Sequence, residues 1–293
     1  MTGLTDTVSR RIIERIRQTN AALLPPGLTN GCTGLMLLEA MAYMITEDCS
    51  LLERAQRNLS NLLSAFEANI FSSDRSFRNG ALGFIWAVTK LIDWNMLDDD
   101  RKLRGRLSRI LNFRSPINDS PIRFDTDDIV YGEGLAILSM WTADESLASY
   151  RIREELIRRI DDVEDLMNFS DEDLFSLNLL SPGFIYSLFY FIDSLHQKKV
   201  YPYKTSRLLP RLWSLLIRAY SDCRQISVEQ ISRMGLFSVI FSDNNLTDVF
   251  SVLLSGDKGL TGDRDWEGLS MEEFIGIASG LLYREISMLL EKN

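Results

Sequence analysis

Asp125, Asp127 and Asp128 form a D-x-D-D pattern five residues ahead of Glu133. Carboxylates brought together in a shared cavity disfavour one another's charge, and one of them can then keep its proton and serve as a general acid. Asp127, Asp128 and Glu133 are therefore the candidate catalytic residues. The competing assignment is structural: Asp128 or a neighbour caps a helix and favours its positive end. In a chain with 41 acidic residues a chance match is the simpler explanation. Thiol and imidazole chemistry has less support. The cysteines are Cys32, Cys49 and Cys223, with no C-x-x-C spacing, and the one histidine, His196, lies at ligand spacing from none of them. No metal site and no cofactor are expected, and an odd, sparse cysteine set fits a reducing compartment. His196 has no companion motif for Ser-His-Asp catalysis. Residues 263–268 copy the first half of a calcium loop, but its twelfth position is Phe274 where a bidentate glutamate is needed. Ser270 and Glu273 instead read as a capping box at a helix start.

These side chains sit in a chain of 293 residues with formal net charge −9 and 45% hydrophobic residues. That is ordinary globular composition. An acidic chain with no basic block is poorly suited to nucleic acid or to an anionic membrane surface. The longest uncharged apolar run, residues 184–192, is too short to span a bilayer, which takes about 20 residues. The first twenty residues carry Arg10, Arg11, Arg15 and Arg17 and lack the apolar core of a secretory signal. The chain reads as soluble and cytoplasmic.

The elements that would carry these residues recur. Gly34, Gly83, Gly134, Gly183, Gly235 and Gly280 each precede an apolar run, at separations of 49, 51, 49, 52 and 45 residues. The last match is the weakest, since Gly280 falls within its own run and Gly268 competes for the role. The runs carry few charges: Glu39 alone in 35–45, Lys90 alone in 81–92, none in 183–192. Helices apolar nearly all round are buried on most sides. Between them lie one-faced stripes, such as Leu52, Ala55, Leu59, Leu62, Leu63 and Phe66, with Glu53, Arg54 and Arg57 off the stripe. Each unit is thus an amphipathic helix and a buried helix, and strand signals are nearly absent. The pattern predicts an all-α protein, an α/α toroid of about six helical hairpins with an inner and an outer helix ring, in one domain over residues 1–293. Glycine before each buried helix allows close backbone approach and leaves first-turn N–H groups open to a ligand. The turns then form a rim, whose ligand-binding candidates are Asn30, Arg78, Asn79, Tyr131 and Ser181 beside the carboxylates.

Two glycine turns, Gly27-Leu28-Thr29-Asn30-Gly31-Cys32-Thr33-Gly34-Leu35 and Asn79-Gly80-Ala81-Leu82-Gly83-Phe84-Ile85-Trp86-Ala87, resemble those of the lanthionine synthetase C-like proteins. Tyr131-Gly132-Glu133-Gly134 resembles a third, with its glycines two apart. The likeness is best over residues 25–195 and implies an α/α toroid. In that family's cyclases two cysteines and a histidine hold a zinc that activates a thiolate. The corresponding turns here are Leu180-Ser181-Pro182-Gly183, Arg233-Met234-Gly235 and the region near Gly268, and none holds cysteine or histidine. The resemblance therefore implies a divergent member without the zinc site, a peptide- or protein-binding partner of a peptide-modifying system. The alternative is a carbohydrate-active enzyme resembling six-hairpin glycoside hydrolases, with Asp127 or Asp128 and Glu133 on the rim and a glycan as ligand. Trp86, Tyr131, Trp141 and Tyr186 are the aromatic faces available to a sugar, unless they belong to the core. D-x-D-D also resembles the protonating motif of class II terpenoid cyclases, with Asp127 as the acid, but their Gln-Trp repeats are missing. A helical scaffold that binds another protein is the third possibility.

Overall fold

The structure, a computed structural model, describes residues 3–68, 76–111, 131–141, 147–176, 182–221, 228–241 and 268–290. Among these residues all regular structure is helical. In chain order the helices are α1 (Gly3–Gln18), a short 3-10 turn (Ala21–Leu23), α2 (Cys32–Thr46), α3 (Cys49–Glu67), α4 (Ala81–Asp93), α5 (Arg101–Leu111), α6 (Gly132–Ser139), α7 (Leu147–Met167), α8 (Asp171–Ser176), α9 (Pro182–Gln197), α10 (Pro202–Ser221), α11 (Val228–Phe241) and α12 (Met271–Leu290). No helix of the described residues is long and apolar enough to cross a membrane. The chain divides into two compact units, one made of Met1–Phe71 with Gln225–Asn293, the other of Ser72–Arg224.

In the first unit α2 is the hub. It packs against α1, α3, the 3-10 turn and α12, and α12 packs against α11. Every residue of α2 from Cys32 to Ala42 is buried, as its nearly charge-free sequence requires. The amphipathic α3 buries Leu51, Ala55, Leu59, Leu62, Leu63 and Phe66 on one face. Only Glu47 and Asp48 separate α2 from α3. Glu47 takes a left-handed conformation (φ 57°) and its N–H bonds the Tyr43 carbonyl at 2.8 Å, ending α2. Asp48 caps α3 by accepting from the Ser50 N–H at 2.9 Å. At the far end of the chain, Ser270 accepts from the Glu273 N–H at 3.2 Å while Glu273 Oε2 accepts from the Ser270 N–H at 2.9 Å. This is the capping box read in the sequence, and it starts α12.

In the second unit α4 packs on α5 and α6, α6 on α7 and α9, and α10 on α7 and α9. Buried helices alternate with one-faced helices here too. α4 is buried from Ala81 to Thr89 and again at Leu91 and Ile92, whereas α5 buries Leu107 and Leu111. His196, near the end of α9, lies 3.0 Å through Nδ1 from the Thr205 hydroxyl of α10. The histidine thus pins one helix hairpin together.

The glycine repeat needs one correction. Gly34, Gly83, Gly134 and Gly183 stand in the first turns of α2, α4, α6 and α9, as expected. Gly235 lies in the middle of α11, and Gly280 lies inside α12. Apolar residues that precede Gly235, Val228 and Ile231, start that helix earlier. In α12 a different glycine meets the neighbouring helix: a Cβ on Gly276 would stand 2.3 Å from the Ser232 carbonyl oxygen of α11.

Candidate functional site

The first glycine turn is closed by its own backbone. The N–H groups of Cys32, Thr33 and Gly34 donate to the carbonyls of Pro25, Pro26 and Gly27, at 2.7, 3.3 and 3.3 Å. The Thr33 hydroxyl adds a bond to the Pro26 carbonyl. The expectation that these amides stand open to a ligand is therefore overturned at α2, because residues 25–27 fold back as an intramolecular cap. Glycine is required by that approach. A Cβ on Gly31 would stand 2.2 Å from the Pro25 carbonyl oxygen, and one on Gly34 2.1 Å from that of Leu28. No glycine of the described residues has a positive φ, so proximity and not backbone twist selects the residue. At α6 the close neighbours are aromatic: Phe77 lies against Gly132, and the Tyr131 ring lies against Gly134.

The proposed rim residues fall into three groups. Asn30 and Asn79 are half-buried at matching positions, each one residue ahead of the glycine that precedes a buried helix. In both, Oδ1 is enclosed and has no hydrogen-bond partner among the described residues. Arg78 is half-buried beside Asn79. Tyr131 belongs to the core: it is 6% exposed, stacks edge-on against Phe184 and Phe191, and its N–H donates to the Ser187 hydroxyl at 2.6 Å. Burial pushes its phenol well above the usual range. Asp127, Asp128 and Ser181 lie outside the described residues, as do Cys223 and residues 263–267.

Glu133, the described member of the carboxylate trio, faces α7. Arg159 Nη2 lies 3.5 Å from Glu133 and 3.6 Å from Glu155, and Nη1 lies 2.5 Å from Asp162. Burial raises Asp162, with Arg159 opposing the rise. The Tyr131 hydroxyl donates weakly to the Arg159 carbonyl at 3.4 Å. This cluster joins α6 to α7 through one guanidinium. Glu133 thus faces a cation at 3.5 Å, and an opposite charge at that range favours a carboxylate over a proton-donating acid. Trp86 is likewise 3% exposed and packs against Phe77.

A different feature was not anticipated. In the first unit the end of α1, the 3-10 turn, the start of α2 and one side of α3 enclose a cleft of about 590 Å³. Small-molecule sites are commonly about 300–1,000 Å³. Beneath it, Glu39 of α2 is wholly buried and accepts from Arg54 Nε at 2.9 Å and from Asn58 Nδ2 at 2.7 Å. Burial raises the Glu39 carboxyl, and Arg54 and Asn58 oppose that rise. The same Arg54 donates to the carbonyls of Ile16, Arg17 and Thr19, satisfying the open end of α1. The sequence held a signal for this: Arg54, Arg57, Asn58 and Asn61 follow the i, i+3, i+4, i+7 spacing of one helix side. On spacing alone that side is indistinguishable from an ordinary wet face. Among the described residues no group of three His, Cys, Asp or Glu side chains is placed to hold a metal ion. Compared with protein-family models, curated proteins and solved structures, the chain gives no significant match.

Proposed function

We propose that this chain is a non-catalytic, peptide-binding α/α toroid, a divergent relative of the lanthionine synthetase C-like proteins. The observation that carries the reading is the pair of Oδ1 atoms on Asn30 and Asn79 that lack a hydrogen-bond partner among the described residues and recur at equivalent glycine turns. A buried acceptor without a donor costs about 1–3 kcal/mol. A peptide backbone supplies N–H donors at regular intervals, and a peptide whose binding opens either turn enough to reach Oδ1 would recover that cost. The alternation of buried and one-faced helices within each unit supports a helical-hairpin architecture.

Selection of a random peptide library on the purified protein tests the reading. Enriched peptides should bind with micromolar dissociation constants, and Asn30→Ala or Asn79→Ala should weaken them about tenfold, as loss of a buried hydrogen bond implies. Failure to enrich any peptide over a control protein would overturn it. So would thioether formation, seen by mass spectrometry, when the protein meets a dehydrated cysteine-containing peptide.

A further inference from the structure

The cleft between α1 and α3 is lined by three arginines and no carboxylate, in a chain of net charge −9. Two of the three cations are spent. Arg17 is paired with Asp48 at 2.5 Å, and Arg54 with Glu39 at 2.9 Å. Arg57, exposed at the mouth, makes no hydrogen bond or ion pair among the described residues; its charge reaches Glu39 only through space, more weakly than that of Arg54, and Asn61 stands one turn further along the same helix side. The walls are of another kind. Leu24, Pro26, Leu62 and Ala65 are apolar, and burial pushes the Cys32 thiol up to about 11, so it lines the cleft as a neutral group. The end of α1 does not oppose an anion, because Arg54 holds its last carbonyls.

We infer that this cleft binds a carboxylate with an apolar body, the carboxylate meeting Arg57 and the Asn61 amide and the body lying against Leu24, Pro26 and Leu62. An arginine fork matches a carboxylate in geometry as well as charge. Such a group comes from two sources, a medium-chain or aromatic acid and the C-terminus of a peptide ending in an apolar residue. The cleft adjoins the Asn30 turn, whose Pro26 and Cys32 line it, but its polar contacts, Arg57 and Asn61, lie on α3 and do not include Asn30. It stands whether or not the peptide reading does.

Calorimetric titration of the full chain tests the inference with four probes: octanoate, octylammonium, Gly-Gly-Phe as the free acid, and its C-terminal amide. Octanoate, the free-acid peptide or both should bind, and the matched cation and amide should bind at least tenfold more weakly. Octanoate without the peptide identifies a small acid as the ligand, and the converse identifies a chain terminus. Arg57→Ala, an exposed change that leaves the core intact, should weaken the bound acid about tenfold, and Arg57→Lys should recover part of that loss. Binding of neither acid, equal binding of octanoate and octylammonium, or unchanged binding by Arg57→Ala would each overturn it.

Discussion

Glu39 is the one charged residue in the buried stretch of α2. Its carboxylate is fully enclosed, and its stability there depends on Arg54 and Asn58. Breaking one side of a buried pair leaves the other uncompensated, at about 3–5 kcal/mol. Glu39→Ala should therefore lower the stability of the first unit by about that amount, read by urea denaturation. Arg54→Ala should cost as much and also loosen the end of α1, whose carbonyls it holds. Glu39 also predicts a pH dependence with a definite sign. Its folded pKa lies above the ordinary 4.5 because burial penalises the charge. A group raised on folding contributes stability that is full below its unfolded pKa and lost as pH rises through the folded value. Stability measured relative to Glu39→Gln should thus decline as pH rises from about 4.5, then flatten. A rise over that window would show that Arg54 outweighs desolvation. From the sequence Glu39 stood out as the sole charge in its run. Its partners were not legible, because they lie on another helix.

Helices of two kinds, their alternation and the capping box before α12 could be read from spacing alone. Periodicity reports which face is wet, and that depends on neighbours in sequence. The role of each glycine was less legible, because it depends on what lies across from the missing Cβ. Two substitutions separate these roles. A Cβ at position 34 meets the Leu28 carbonyl oxygen at 2.1 Å, a backbone atom that cannot swing aside. Gly34→Ala should destabilise by about 1–3 kcal/mol, the range for overpacking a tight contact. Gly105, inside α5, has nothing within 4 Å of the same position. There Gly105→Ala should stabilise by about 0.5–1 kcal/mol, through helix propensity and a less disordered unfolded chain. Thermal or urea unfolding of both variants checks the pair, and effects of equal sign would refute the packing account. Glu47 offers a third test. As a left-handed residue between α2 and α3 it bears about 1–2 kcal/mol of strain. Glu47→Gly should relieve part of it and raise the midpoint of unfolding slightly.

At the scale of the molecule, the first unit is assembled from both ends of the chain, with Ser72–Arg224 as a continuous insertion between them. The apolar surface of α2 is covered in part by α12, and a Cβ on Gly34 would stand 2.9 Å from the Ile275 side chain. α1 adds to this junction through the bond from Ser9 to Glu285. Closing so long a loop costs entropy, but the cost grows only logarithmically with length, so the packing of α2 on α12 can offset it. The N-terminal piece alone lacks that packing. A polypeptide of residues 1–71 should therefore show non-cooperative unfolding and bind hydrophobic dyes, since α2 would expose Leu35, Met36 and Leu38, which are otherwise buried. Adding residues 225–293 in trans should restore a cooperative transition whose midpoint rises with concentration, as for any association-coupled fold. Cooperative folding of 1–71 by itself would show that α12 covers α2 without stabilising it. The junction would then be an ordinary surface contact between the two ends of the chain.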